Sequence, residues 1–425
     1  MLNLEMPYPL NKYVRTLQLA LLVFLLALMQ DGLGQSAYFN QLDLLNGKKK
    51  AIIPFKYIHN FIVIEARIYG IIPLQFIFDT GAENIILFKR QYTDVMQVPY
   101  DKRIPVLGSD MSREIFALIA RNGVIEVNGL APKPADMLVL EEDYFNLDEM
   151  IGTPVAGLIG GSFFRNLIIH IDYRKKEITL YDPAFFKSPD DFITLPIRIK
   201  TNRPYINAEA SLMDGTVVQV DLLVDTGAGV PLLLHNNSHP SLHLPEQYIK
   251  GKLGMGLGGY LEGYIGRIQK LSVGDFDFPE VLTSFQNVEE SWLLDPDKYR
   301  NGIVGNELLD RFDLYFDYIR GQLLLKPNRR RQMPFTMDRS GLVLFAYGLE
   351  FNQFVVRDIL DNSPAQNADI RVDDIITRIQ GTSARYYTLD AINQLLQKKA
   401  GKNIRLSLLR GKETLKKEIT LQDLI

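Results

Sequence analysis

Two short strings carry the chemistry this chain is equipped to do. Asp79-Thr80-Gly81-Ala82 and Asp225-Thr226-Gly227-Ala228 each follow large apolar residues, Phe76-Ile77-Phe78 and Leu222-Leu223-Val224. An apolar strand that runs into Asp-Thr-Gly places a carboxylate at a tight, buried turn. Gly81 and Gly227 let the backbone turn without a Cβ clash. Ala82 and Ala228 are small enough for another segment to approach, and the hydroxyls of Thr80 and Thr226 can brace the turns. One such loop arises by chance in many chains. Two of them face to face would bring two carboxylates within hydrogen-bond distance, where both cannot ionise and one proton is shared. Such a pair titrates as a unit. One member can act as base on a water while the other polarises a carbonyl. That is amide hydrolysis without metal, serine, cysteine or histidine.

Other chemistries are poorly supplied. The 425 residues include no cysteine, which excludes disulfides, thiolate-bound zinc, iron–sulfur clusters and a cysteine nucleophile. Of the five histidines, His235, His239 and His243 have helical spacing. Pro240 and Pro245 interrupt any helix there and no acidic residue has ligand spacing, so the stretch reads as an exposed loop and no metal site is expected. No G-x-S-x-G nucleophile elbow occurs. A net charge of −3 gives no basic field to recruit nucleic acid. No cofactor is implied.

The elements that must position the two aspartates repeat. Phe76–Ala82 matches Leu222–Ala228, Gly157–Gly160 matches Gly302–Gly305, and the block ending in Asp172-Tyr173 matches the one ending in Asp317-Tyr318. All three blocks keep one spacing of about 145 residues, so the middle of the chain is two copies of one unit. Each copy reads as β-rich. In the first, strands are expected over 60–69, 74–78, 168–172 and 177–181; in the second, over 205–212, 217–224, 314–318 and 322–325. Short helices are expected over 161–166 and 307–310. Pro183 and Pro189 mark a linker between the copies.

The two Asp-Thr-Gly-Ala strings resemble the active-site motifs of aspartic proteases, in the retropepsin spelling with Ala after the glycine. Leu158-Ile159-Gly160 and Ile303-Val304-Gly305 resemble that family's second hallmark, which packs beneath the Asp loop. The resemblance covers roughly residues 50–328 and implies a mainly β, bilobal, pepsin-like acid protease fold of two retropepsin-like lobes, 50–185 and 190–328. It implies an endopeptidase with Asp79 and Asp225 as catalytic pair and a polypeptide as substrate. It also implies a flap, for which the glycine-rich Gly256-Leu257-Gly258-Gly259-Tyr260 suits a mobile hairpin tip. Val106–Asp110 is its counterpart in the first copy. A phosphate cradle is excluded there because no Lys-Ser/Thr follows and no helix opens. Glu83 and Pro231 crowd the two Asp loops asymmetrically.

After a basic, solvated linker at Arg329-Arg330-Arg331, residues 335–425 form a separate α+β unit with an amphipathic helix over 389–399. Ser363-Pro364-Ala365, Asp373-Asp374-Ile375-Ile376 and Ile379-Gln380-Gly381 resemble a PDZ domain, with Asp369 and Asp373 where glycine is common. The resemblance implies peptide binding by strand addition, with amides around Gly341-Leu342-Val343 holding a C-terminal carboxylate. At the other end, Lys12 and Arg15 precede the apolar run 17–29, followed by Gly32-Leu33-Gly34. Residues 1–34 therefore read as a secretory signal peptide, too short to span a bilayer, and 35–49 as a lead-in or short pro-segment. The protein is expected to be exported, periplasmic or secreted, with no transmembrane helix after signal cleavage. Two other functions stay open on the sequence, an inactive protease-like peptide-binding protein and a PDZ-based scaffold of the cell envelope. The two intact aspartates favour the hydrolase.

Overall fold

The computed structural model describes residues 44–107, 114–143, 146–256, 259–297 and 299–425. The expected signal peptide and most of the lead-in lie outside them, as do Gly108–Asp110, Leu257 and Gly258. Among the described residues no helix is long and apolar enough to cross a membrane.

The chain is mainly β with a mixed C-terminal module. In the first copy the strand Ile72–Asp79 lies parallel to Gly157–Gly160, with Asp79 opposite Gly160. Gly157–Gly160 pairs antiparallel with Ile85–Leu87, which runs parallel to Lys133–Leu140. The second copy repeats this arrangement. Val217–Asp225 lies parallel to Gly302–Gly305, with Asp225 opposite Gly305. That strand pairs antiparallel with Leu232–His235, which runs parallel to Phe276–Gln286. The central strands are apolar on both faces because both are covered: Phe76, Phe78, Leu222 and Val224 are fully buried. Alternation appears where one face is wet, as in Lys50–Ile58, whose buried residues are Ala51, Ile53 and Phe55.

The two copies are joined by strand pairing. The hairpin Ile168–Asp172/Glu177–Tyr181 of the first copy meets the hairpin Phe312–Asp317/Gln322–Pro327 of the second, with His170 opposite Tyr315. Lys50–Ile58 and Ile193–Pro196 extend this shared sheet at its two sides. The hairpin ends expected from sequence are thus the edges that join the copies, which removes two exposed edges at once.

Several sequence expectations are revised. The stretch from His235 is not simply an exposed loop, because His235 closes the strand Leu232–His235 and is 1% exposed. The short helix expected over 161–166 is a 3₁₀ turn, Gly161–Phe164. The basic linker is not only solvated. Arg329–Gln332 forms a 3₁₀ turn in which Arg330 pairs with the buried Asp310 at 2.6 Å, and Arg331 stacks on Phe276.

The C-terminal module has strands Leu342–Tyr347, Gln353–Ile359, Ile375–Ile379, Asn403–Arg410 and Glu413–Thr420, with helix Leu389–Leu396 packed on a core that includes Phe354, Val356, Ile376, Ile392 and Leu408. Thr388 caps the helix by accepting from the Ala391 N–H. Asp369 and Asp373 both take positive φ, the conformation that glycine would adopt most easily. Asp369 is held there by Arg371, Arg410 and Lys417.

This module is docked on both copies. The ring of Phe335, 4% exposed, lies under the Arg311 guanidinium at 3.5 Å, and Arg267 donates to its carbonyl. On the other side His59 contacts Asn393, and a Cβ at Gly152 would lie 3.1 Å from that of Leu389. Removing Phe335–Ile425 is therefore expected to destabilise the rest by about 3 kcal/mol, since the apolar surface that Phe335 and the module cover, Phe278 included, becomes exposed. Urea denaturation of the truncated and full chains measures this, and equal midpoints would show that the docking contributes nothing.

Candidate active site

The two Asp-Thr-Gly loops meet at one point. Each carboxylate is held by its own turn and packs on the glycine of the other. Asp79 Oδ1 accepts from the N–H of Gly81 at 2.7 Å and of Ala82 at 3.0 Å, and Asp225 Oδ1 accepts from the Gly227 N–H at 2.7 Å. A Cβ on Gly81 would lie 2.5 Å from Asp225 Cγ, and one on Gly227 would overlap the Asp79 carboxyl. No side chain larger than hydrogen fits at either glycine without separating the loops. Hallmark glycines lie on the underside, where a Cβ at Gly160 or Gly305 would fall 2.6 Å from the carbonyl oxygen of Ala82 or Ala228.

Thr80 and Thr226 bind the loops to each other. The Thr80 N–H donates to Thr226 Oγ1 and the Thr226 N–H donates to Thr80 Oγ1, both at 3.0 Å. The Thr80 hydroxyl then donates to the Val224 carbonyl at 2.7 Å, and the Thr226 hydroxyl to the Phe78 carbonyl at 2.8 Å. Both threonines are fully buried. The bracing expected within each turn is in fact exchanged between the copies.

Burial pushes both carboxyls above the ordinary aspartate range, Asp79 most strongly. The negative charge of Asp225 and the hydrogen bond between the two acids add to the rise at Asp79. At Asp225 that hydrogen bond works the other way, and the positive charges of Arg300 and Arg203 also favour the ionised form. Two acids so close cannot both ionise, so the pair titrates as a unit.

Several residues of the site were not singled out in the sequence. Tyr173 donates to Asn306 Oδ1 at 2.6 Å, and Asn306 Nδ2 donates to the Thr226 carbonyl, bracing the second loop from below. Its repeat partner Tyr318 sits 2.8 Å from where a Gly161 Cβ would be, and burial, with the dyad charges added, raises its hydroxyl pKa. The signal for both was the Asp-Tyr that closes each matched block. Glu83, noted as crowding the first loop, ion-pairs with Arg203 at 2.8 Å and so ties that loop to the second copy. Arg300 and Trp292 had no signal in the sequence, and His235 was weighed there only with His239 and His243 and read as part of an exposed loop.

The dyad opens into a cavity of about 1280 Å³. Pro105 and Val106, near the end of the first copy's hairpin strand Tyr100–Leu107, line it. The expected flap is a hairpin of strands Tyr248–Gly256 and Gly259–Val273, with Gly256 opposite Gly259 and Met255 opposite Tyr260. Its tip, Leu257-Gly258, lies outside the described residues. An arm of this second hairpin passes close to the C-terminal module, where a Cβ on Gly251 would lie 3.0 Å from Leu360 Cδ2.

The same cavity is lined by Leu342, Val343 and Leu344 of the module's edge strand and by Asn393 and Gln394 of its helix. Part of the module's edge strand and helix therefore faces the same space as the dyad. The amides expected to hold a carboxylate have another partner. Gly341 N–H donates to Asp338 Oδ1 at 2.7 Å, Ser340 N–H donates to the same oxygen at 2.8 Å, and Leu342 N–H donates to Ser340 Oγ. Burial holds the Asp338 carboxyl up at about 6 against these bonds. Gly341 and Leu342 thus close a turn internally. Among the described residues no strand pairs with the outer edge of Leu342–Tyr347, whose far end packs against the first copy, with Ala346 beside Gly152 and Tyr347 bonded to Glu149.

Among the described residues no group of three or more histidine and acidic side chains is placed to hold a metal ion. No curated protein matches the chain. Residues 331–421 match the model of the PDZ domain family, so the chain carries a PDZ domain, a peptide-binding module, at its C-terminal end.

Proposed function

We propose that this protein is an aspartic-type endopeptidase of pepsin-like, bilobal build, with two retropepsin-like lobes and a PDZ domain that presents substrate to the site. The observation that carries this reading is the reciprocal packing of Asp79 and Asp225, each against the other's glycine, at the floor of an open cavity. Two acids in hydrogen-bond contact, with a single shared proton, are equipped to activate a water and protonate a carbonyl in one step. The ionised member takes a proton from the water. The protonated member donates to the carbonyl oxygen of the scissile amide as the water oxygen bonds to its carbon. Collapse of the tetrahedral species breaks the C–N bond and returns a proton to the leaving amine.

The shared cavity supports a role for the PDZ domain in delivery. A chain lying along the cavity-lining start of Leu342–Tyr347 is held close to the dyad and so meets it at raised effective concentration. The Gly341 and Leu342 amides are already bonded, so the docking falls to the residues beyond them. The N-terminal charge and apolar run support export to the periplasm or outside the cell.

Purified full chain is expected to cleave members of a peptide library, and a statine-type transition-state inhibitor is expected to block it. The pH profile has a calculable direction. Activity needs the singly protonated pair, and burial raises both acids, so the window shifts upward. The falling limb of kcat/KM is expected well above the ordinary aspartate value of 3.8. No hydrolysis of any library member, at any pH where the chain is folded, would overturn the protease reading.

A further inference from the structure

Beside Asp225 the cavity wall holds a group of nitrogen atoms that peptide hydrolysis by two carboxyls does not use. Arg203 opens the strand Arg203–Ser211, and Arg300 precedes Gly302–Gly305, the strand that carries Gly305 opposite Asp225. His235 and Gln286 stand opposite each other at the ends of their parallel strands. Trp292, the single tryptophan of the chain, lies under the Arg300 guanidinium, 5.0 Å from the ring centre. All five line the cavity that also contains the dyad.

Arg300, His235 and Gln286 are buried and Arg203 and Trp292 half-buried, and among the described residues most of them are short of partners. Arg300 is 8% exposed, and its Nε has no hydrogen-bond partner. Both ring nitrogens of the buried His235 lack partners too, as do Trp292 Nε1 and Arg203 Nε. Arg203 has one carboxylate, Glu83 at 2.8 Å. Among the described residues Arg300 has no carboxylate in ion-pair contact, and it feels the charge of Asp225 and the neighbouring Tyr205 hydroxyl. Burial and the charge of Arg300 keep His235 in its neutral form.

A buried guanidinium with no carboxylate in ion-pair contact is costly, and the charge of Asp225 and the Tyr205 hydroxyl offset that cost only in part. Its planar fork matches a carboxylate in two parallel hydrogen bonds, and the indole N–H and imidazole N–H add donors around it. An uncharged occupant would leave the guanidinium unpaired. We propose that the pocket formed by Arg203, His235, Gln286, Trp292 and Arg300 is a subsite for an acidic side chain of the substrate, an Asp or Glu close to the scissile bond on the second copy's side. This proposal rests on the protease reading for what the ligand is, and on the pocket alone for its charge.

The test uses matched peptides that differ only by Glu or Gln at one position near the cleaved bond, with amidated C-termini so that no terminal carboxylate competes. In the full wild-type chain, the Glu peptide is expected to exceed the Gln peptide in kcat/KM by about 10- to 100-fold, the worth of a hydrogen-bonded charge pair. Arg300→Gln is expected to bring this ratio toward one, and Arg300→Lys to restore part of it. Trp292 fluorescence of the wild-type chain gives a second measurement that needs no variant. Titration with the Glu peptide should change it at concentrations about 10-fold lower than with the Gln peptide. If peptides are cleaved with no Glu/Gln discrimination, the acidic subsite is wrong and the protease reading stands. If none is cleaved but the Glu peptide is still bound preferentially, the protease reading fails and the carboxylate pocket stands. If preference appears only for peptides with a free C-terminus, the pocket takes a terminal carboxylate and the side-chain proposal is overturned.

Discussion

Asp79→Asn and Asp225→Asn should each lower kcat by at least about a thousandfold while leaving the fold intact. The amide has the shape of the carboxyl, so the hydrogen bonds from Gly81, Ala82 and Gly227 keep an oxygen to accept them. What is lost is the shared proton: an amide neither accepts a proton from water nor gives one to a carbonyl at these pH values. Stability gives an independent check on the same variants. Both acids are raised in the folded chain, so they favour folding below the ordinary aspartate range, and that contribution is lost as pH rises through their folded values. An asparagine removes one of the ionisations that the folded state resists. At pH 7 each variant should therefore melt at the wild-type temperature or higher, and the gap should close toward pH 4. Retained hydrolysis in either variant would sink the dyad. A large loss of stability at pH 7 would mean that the pair is built for structure instead.

Thr226→Val should cost about 2–6 kcal/mol and most of the activity. The hydroxyl donates to the Phe78 carbonyl and accepts from the Thr80 N–H, both in the first copy. Valine fills the same volume but leaves that carbonyl and that N–H buried and unpaired, each worth about 1–3 kcal/mol. The loss falls on the contact that fixes the separation of the two carboxylates, where a displacement of about 1 Å costs on the order of 100-fold in rate. Thr226→Ser keeps both bonds and should stay near wild type, which separates the hydroxyl from the shape of the side chain. Urea denaturation together with kcat/KM measures both effects. If Thr226→Val unfolds at the wild-type midpoint, the exchanged bonds do not hold the copies together.

Much of this site is local in sequence and therefore legible there. An apolar strand, an aspartate and a glycine turn are neighbours in the chain, and their repetition marks two such turns. The glycine after each hallmark pair stands opposite its aspartate, Gly160 with Asp79 and Gly305 with Asp225, a pairing that the resemblance to aspartic proteases implied and the spacing alone did not. The left-handed turns at Asp369 and Asp373 were marked by position alone, because aspartate tolerates what glycine does best. The gap in legibility begins where side chains answer residues far away. Arg300 resembles any arginine in a loop, and only its burial beside Trp292 and Asp225 gives it meaning. His235 looked like part of an exposed stretch because its neighbours are prolines and polar residues, yet strand pairing on both sides draws it inside.

By itself, the sequence determined the two Asp-Thr-Gly-Ala turns, the duplication that relates them, the apolar strands that lead into them, and the PDZ-like strings after them. Those features depend on residues close together in the chain or on periodic burial, and both can be read without coordinates. Tertiary structure alone decided that the threonines exchange hydrogen bonds between copies, that the end hairpins join into one sheet, and that Asp338 occupies the amides of Gly341 and Ser340. It also decided that part of the PDZ edge strand and helix shares one cavity with the dyad. The reason is physical. Buried donors and acceptors must find partners, and which partner each finds depends on which segments are packed together rather than on which follow one another.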